Sequence, residues 1–318
     1  MILITGGSGY LGGRLAKYLS ESIQGKVILT IRERSDYLEE NLPNCEFRTF
    51  DIAKNTDYQF LLKDITDVIH LISMNAHDSA LDPLLAEKIN AYGTYKLTKA
   101  SAESQVKRFI YFSTAHIYGS PLVGKIDETT SAKATHPYGL THLQAENYIQ
   151  KALKETDTKY VILRLSNAVG APLSKNVNCW MLVVNDIIKQ LVTNHTMKFS
   201  SSKHIERDFI PISEISRIVF AILKDDSERY KGIYNLGSGA SLSLENLAKI
   251  ISERAKILLK INPKIQFPES NQDSNNSLIY SISKIKSHDL HISDDLTHEI
   301  DQLIIKSQDW FNFSGEVK

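Results

Sequence analysis

Gly6, Gly9 and Gly12 recur every third residue in Thr5-Gly6-Gly7-Ser8-Gly9-Tyr10-Leu11-Gly12, directly after the apolar run Met1-Ile2-Leu3-Ile4. Without Cβ atoms the chain can turn tightly there, and a pyrophosphate can approach its backbone. A helix starting near Tyr10 would turn free N–H groups and the positive end of its dipole toward those phosphates. A glycine triplet alone is weak evidence; the strand–turn–helix context makes this one a dinucleotide cradle. A second signal lies in Val27-Ile28-Leu29-Thr30-Ile31-Arg32-Glu33-Arg34-Ser35. An acid at the end of this strand would bind the adenosine ribose hydroxyls of NAD, whereas an arginine suits the 2′-phosphate of NADP. The acid position holds Thr30 or Ile31 and Arg32 follows, so NADP is expected, with NAD the alternative. Arg32 would be assisted by Arg34 or Ser35; its competing reading is a solvated side chain paired with Glu33. Farther on, Tyr138, His142, Ala145 and Ile149 fall on one stripe of a helix for which Pro137 is a suitable first residue. Cys45 and Cys179 make neither a disulfide framework nor, with any histidine, a metal-ligand spacing, so no metal is expected.

Positioning these groups requires an alternation of strands and helices. Short β-rich runs at about 1–5, 27–31, 46–50, 67–72, 107–113 and 160–165 alternate with helical patterns at about 10–22, 57–63, 84–103 and 137–154. This is the pattern of βαβ units around a parallel sheet. Beyond about residue 166 the alternation loosens into a helix near 180–193, the segment 207–211, a helix near 213–223 and a strand-turn at 233–237. The polar run 268–278 reads as a surface loop. The expected organisation is a Rossmann-like α/β fold, a doubly wound parallel sheet over residues 1–166, with a smaller α/β substrate lobe over 167–318. The chain is expected to return to the core sheet between them.

Composition narrows the partners. The chain has 318 residues, 37 Lys+Arg against 37 Asp+Glu, and 42% hydrophobic residues, so no basic footprint suggests nucleic acid or an anionic membrane. Apolar runs such as Ile218 to Leu223 are far short of the roughly 18 residues of a bilayer span. With the N-terminal strand leading straight into the glycine turn, no leader is expected, and the location is read as cytoplasmic.

The glycine spacing resembles the extended branch of the short-chain dehydrogenase/reductase family, which includes nucleotide-sugar epimerases, dehydratases and ketoreductases. The likeness continues through Asp51-Ile52, similar to the family's adenine-contacting pair, and His70-Leu71-Ile72-Ser73, similar to its strand end beside the cofactor. It includes Asn90-Ala91-Tyr92-Gly93-Thr94 and Phe112-Ser113-Thr114-Ala115-His116-Ile117-Tyr118-Gly119. The bland readings are an Asx turn for Asp51 and a buried helix amide for Asn90. The resemblance implies cofactor contacts from Gly6, Gly9, Tyr10, Leu11, Gly12, Arg32, Asp51, Ile52, Leu71, Asn90, Tyr138 and His142.

The resemblance also implies a mechanism. Thr114 falls where the family has a Ser/Thr, and Tyr138 where it has the tyrosine that passes a proton while hydride moves to or from the nicotinamide. The family's lysine, four residues later, holds the nicotinamide ribose and lowers the tyrosine pKa; here the residue is His142. Imidazole is shorter and largely neutral at pH 7.5 unless something charges it, yet can still donate a hydrogen bond to a ribose hydroxyl. Three readings follow: His142 replaces lysine, charged by the cofactor phosphates; catalysis is slow or relies on Tyr138, Thr114 and water; or the protein only binds. The related 4,6-dehydratases carry Asp-Glu after the Ser/Thr, a pair Ala115 and His116 cannot supply, so dehydration is disfavoured. His116 is a candidate substrate contact or second proton donor, against a plain role in the wall.

Later segments resemble the nucleotide-sugar members. In Arg164-Leu165-Ser166-Asn167-Ala168-Val169-Gly170-Ala171-Pro172, Asn167 would help hold the sugar nucleotide. In Arg207-Asp208-Phe209-Ile210-Pro211, Arg207 would pair the substrate pyrophosphate through its planar fork. Asp208 and Asn235 read as an ion pair and a turn former. The implied activity is hydride transfer on a nucleoside-diphosphate sugar, as a 4-epimerase or 4-ketoreductase. The alternatives are a weakened cofactor-binding sensor or scaffold, and a reductase of a non-nucleotide carbonyl compound. Helices 84–103 and 137–154 form the dimer bundle in similar proteins, so a homodimer is expected.

Overall fold

A computed structural model describes residues 1–54, 57–225, 227, 229–269 and 277–311; of the polar run 268–278, residues 270–276 lie outside the described residues. The first half runs β1 (Ile2–Thr5), α1 (Tyr10–Ser22), β2 (Val27–Ile31), α2 (Asp36–Asn41), β3 (Cys45–Thr49), α3 (Tyr58–Leu62) and β4 (Asp67–His70). It continues through α4 (Ala76–Leu81), α5 (Pro83–Ala86), a π-helical stretch Glu87–Gly93, α6 (Thr94–Glu103), β5 (Arg108–Thr114), a tight turn Ala115–Tyr118, β6 (Gly124–Ile126), α7 (Pro137–Leu153) and β7 (Lys159–Leu165). The second half comprises β8 (Asn167–Val169), α8 (Val183–Asn194), β9 (Thr196–Lys198), β10 (Glu206–Pro211), α9 (Ile212–Lys224) and β11 (Gly232–Leu236). It ends with β12 (Ser241–Ser243), α10 (Leu244–Leu259), β13 (Lys264–Gln266), β14 (Leu278–Tyr280), α11 (Ser283–Lys286) and α12 (Thr297–Phe311).

Seven strands form one sheet in the order β3-β2-β1-β4-β5-β7-β11, every pairing parallel. β1, β2 and β5 are buried along their whole length, which is why they read as continuous rather than alternating apolar runs. Helices cover both faces: Leu15 and Leu19 of α1 with Ile215 and Ile222 of α9 on one, Leu97 of α6 with Ala145 and Ile149 of α7 on the other. β11 returns from the second half to pair with β7 at the sheet edge. The strand order reverses between β1 and β4, and in such sheets ligands bind beyond the carboxyl ends of the strands at that point.

The second half has its own core, in which Ile188 of α8, Leu247 and Ile251 of α10, and Ile300 and Leu303 of α12 are buried together. β10 pairs with β8 in parallel and with β12 antiparallel. The two halves are tied by Arg14 of α1, which donates to both carboxylate oxygens of the buried Glu299 on α12 at 3.0 and 2.7 Å.

One expected element differs. The helix predicted over 84–103 is continuous in direction but passes through the π-helical stretch Glu87–Gly93 before resuming as α6. Gly93 there lies against Ile52, and an added Cβ would come within 2.8 Å of the Ile52 side chain, which would have to shift.

Candidate active site

Gly6 adopts φ +75°, and a Cβ on Gly12 would run into the Gly6 carbonyl oxygen, so the cradle closes only on glycine. The buried Thr30 fixes the turn by accepting from the Gly6 N–H at 3.0 Å. No side chain caps α1, leaving the N–H groups of its first turn to an anion. The Tyr10 hydroxyl does not face that anion. It donates to the Gly170 carbonyl at 2.8 Å, so only the Tyr10 backbone remains for phosphate.

The buried His70, joined to Thr5 at the cradle, is held in one tautomer by its neighbours. The Thr94 hydroxyl donates to the Asn90 carbonyl at 2.6 Å, so it must accept from His70 Nε2, 2.8 Å away. His70 Nδ1 then accepts from the Thr5 hydroxyl at 2.6 Å. Burial pulls the His70 pKa down to about 3, keeping the ring neutral. Asn90 is fully buried; its carbonyl oxygen accepts from Met74 N–H at 2.7 Å and its amide donates to Thr141 at 3.1 Å. It therefore braces the segment after β4 against α7, and its side chain has little left to offer a cofactor.

Tyr138 stands at the start of α7 and Thr114 at the end of β5, near enough for the Thr114 side chain to act on the phenol. Burial raises the Tyr138 pKa, and Thr114 offsets only part of that. His142 follows one turn later, its ring edge-to-face with Tyr138 at a centroid distance of 4.6 Å. Burial first, and the neighbouring His116 second, pull the His142 pKa down to about 3. In the cofactor-free protein the imidazole of His142 is therefore neutral, because desolvation favours release of its proton. The Tyr111 hydroxyl lies 2.7 Å from His142 Nδ1. His142 Nε2 is buried without a hydrogen-bond partner.

The remaining expected residues lie at different depths. His116 is exposed, and desolvation first, then Arg207 and His136, lower its pKa. Arg207 of β10 is partly buried and desolvated, with no carboxylate partner among the described residues. Asn167 donates to the Asp208 carbonyl at 2.8 Å, which fixes its amide and leaves its carbonyl oxygen for a ligand. Arg32 is exposed just past the end of β2. Asp51 accepts from the Ala53 N–H at 2.9 Å in the tight turn that its bland reading describes. Ile52 is buried, and Leu11 and Leu71 are half-buried.

Two roles read from sequence change. Asp208 makes no ion pair: its buried carboxylate accepts from Ser166, from the Ser238 N–H at 3.0 Å and from the Gly239 N–H at 2.7 Å. Asn235 is no turn former but a buried bridge within β11, accepting from Tyr118 at 2.7 Å. A buried network behind the centre went unread. Glu146 of α7 pairs with Arg164 of β7 at 2.7 Å and accepts from Ser113 at 2.5 Å, and Arg164 also donates to Tyr118 at 2.8 Å. Tyr111 escaped for a related reason: inside an aromatic-rich strand it looks like core. A polar cavity of about 680 Å³ bounded by Lys125, Glu128, Gln150, Ser281 and Lys284 shares none of the expected site residues. Among the described residues no group of His, Cys, Asp and Glu is placed to hold a metal, and no helix is long and apolar enough to cross a membrane.

An open parallel sheet with a glycine cradle at its switch point, and a Thr–Tyr pair beyond the neighbouring strands, defines a Rossmann-like dinucleotide-binding protein. The chain belongs to the NAD dependent epimerase/dehydratase family, whose sequence model matches residues 2–237. It is 27% identical over 254 residues to a putative UDP-glucose 4-epimerase of Methanocaldococcus jannaschii, covering 79% of this chain and 81% of that one. It is 26% identical to human dTDP-D-glucose 4,6-dehydratase, covering 80% and 74%. Its fold matches that of UDP-glucuronic acid 4-epimerase from Bacillus cereus, solved in complex with NAD, with a TM-score of 0.84, 20% identity and 99% coverage of each chain.

Proposed function

We propose that this chain carries out hydride transfer at the C4 position of a nucleoside-diphosphate sugar, as a 4-ketoreductase or a 4-epimerase. The observation that carries this reading is Tyr138 set edge-to-face against His142 with Thr114 beside it, and Arg207 near His116 with no carboxylate partner among the described residues. The residues fit a nicotinamide dinucleotide on two counts: the cradle has room only for glycine at position 12, and His142 Nε2 is an orphaned buried polar atom. The backbone of Gly6, Gly9, Tyr10, Leu11 and Gly12 would hold its phosphates, Asp51, Ile52 and Leu71 would flank its adenine half, and His142 would take a ribose hydroxyl. When bound, the dinucleotide supplies or accepts the hydride.

Tyr138, with its raised pKa, rests as a phenol, which suits protonating a ketone oxygen as it becomes an alkoxide. Thr114 orients that oxygen, and Arg207, with Asn167, grips the nucleotide part of the substrate. Relatives named as 4-epimerases support the substrate class, and the lack of an acid–base pair at Ala115-His116 supports reduction or epimerisation over dehydration. Arg32, with buried Thr30 and Ile31 offering no carboxylate before it, supports NADP over NAD, although the compared epimerase was solved with NAD. Mixing the protein with NADPH and 4-keto nucleotide sugars tests the reading: loss of reduced-nicotinamide absorbance marks a reductase. Interconversion of 4-epimers without net cofactor use marks an epimerase, and neither result sinks both. Tighter binding of NAD than of NADP would sink the cofactor assignment.

The neutral His142 favours a second reading, a cofactor-binding sensor with weakened turnover. A reductase of a non-nucleotide carbonyl compound would leave Arg207 without a task. Exposed Leu81, Leu84, Leu85 and Tyr92 on α4, α5 and the π-helical stretch support a homodimer through this face. Light scattering on Leu84→Glu should then show a monomer. Two unpaired cysteines support a reducing, cytoplasmic location.

A further inference from the structure

The structure assigns Tyr111 as the positioning residue that fixes the tautomer of His142 and makes its Nε2–H a donor reserved for the bound dinucleotide. This rests on the functional reading above and names a residue on which that reading did not depend. Tyr111 is 1% exposed, and among the described residues its hydroxyl has a single hydrogen-bond partner, His142 Nδ1, at 2.7 Å. A buried phenol that accepted from Nδ1–H would leave two groups unpaired, its own proton and the bare Nε2, whereas a donating phenol leaves only Nε2–H. The hydroxyl therefore donates, Nδ1 is bare, and a neutral imidazole must carry its proton on Nε2. Burial, Glu146 and Tyr138 hold the Tyr111 phenol well above its usual pKa, so it keeps the proton it donates. The imidazole is neutral for the same reason, desolvation.

The result is a buried N–H with no acceptor among the described residues. Such orphans are rare, and an absent ligand is one of their ordinary explanations. The ring cannot swing freely: Tyr138 packs on it at 4.6 Å and Tyr111 at 5.8 Å, while His70 stacks on the other side of Tyr111 at 5.7 Å. The pattern differs from a lysine at the same position, whose ammonium donates in three directions and needs no partner to orient it. Tyr111 thus matters only because residue 142 is histidine.

Nitrogen-15 chemical shifts of His142 in the cofactor-free protein test the first half directly, with no substitution required. A protonated Nε2 and bare Nδ1 are expected; a protonated Nδ1 would overturn the proposal. A double-variant cycle tests the second half, with NADPH and NADH affinity read from nicotinamide fluorescence. Tyr111→Phe should weaken the preferred cofactor by roughly five- to tenfold, the worth of one hydrogen bond, in the native background. In the His142→Lys background the same change should have no effect. Equal losses in both backgrounds would mean that Tyr111 serves only the core, and would overturn the positioning role. If the native protein bound neither dinucleotide, the functional reading and the reserved-donor half would both fall, while the nitrogen shifts would still decide the tautomer.

Discussion

Tyr138 and His142, one helical turn apart on α7, pack edge-to-face at 4.6 Å with no charge between them. Burial removes the imidazolium that could have favoured tyrosinate, and the Tyr138 pKa rises. Under the proposed function, acid–base work at this centre would depend on the phenol, on Thr114 beside it and on the pH.

Turnover that needs tyrosinate, the alcohol-oxidising direction, should rise with pH and level off only above the usual tyrosine pKa of about 10. No limb near 6.5 should belong to His142, since it stays neutral well below that. His142→Lys places a cation within reach of Tyr138, favours the ionised form and should move the rising limb to lower pH. Tyr138→Phe should cost about 10²- to 10⁴-fold in kcat while dinucleotide affinity changes little. pH–rate profiles of the three proteins check all of this.

Two buried neutral histidines make the fold acid-sensitive. In His70 and His142 the folded pKa is held near 3, below the unfolded value of about 6.5. Below the unfolded value the denatured chain binds more protons than the native one, so stability is full above pH 6.5 and drains as pH falls toward 3. By pH 5 each histidine should have cost roughly 2 kcal/mol. Urea midpoints at pH 7.5 and 5.0 should fall accordingly, and less so in His70→Gln.

Arg207→Ala should raise KM for a nucleotide sugar about 10- to 100-fold, the worth of a lost charge-assisted pair. Thermal stability should stay nearly constant, because Arg207 has no carboxylate partner among the described residues. An unchanged KM would point to a substrate without the nucleotide.

Glu146→Ala strands the buried Arg164 and leaves Ser113 without its acceptor. Breaking such a pair typically costs 3–5 kcal/mol, roughly, whereas replacing both partners with apolar residues of similar size costs much less. Chemical denaturation of Glu146→Ala against a Glu146→Leu, Arg164→Met double variant should show that order.

The sheet was legible because its information is local. Ile2–Thr5, Val27–Ile31 and Arg108–Thr114 announce themselves as buried parallel strands by unbroken β-rich runs, and Gly6, Gly9 and Gly12 by spacing in one turn. The second half was less legible: β8, β9 and β12 are three residues each, too short for periodicity to register, and their pairing is decided by distant partners.

By itself the sequence determined the dinucleotide cradle, the order of the strands and helices around it, and the substitution of His142 where a lysine was expected. Each depends on residue type at short range. Only the tertiary structure decided what those residues do. Arg14 meets Glu299 across 285 positions, and Tyr111 meets His142 across 31. Burial then sets the protonation state of His142, and burial belongs to the packed chain alone. A histidine in the sequence can be charged or neutral, donor or acceptor; inside this fold, between Tyr111 and Tyr138, it is neutral and has one hydrogen to give.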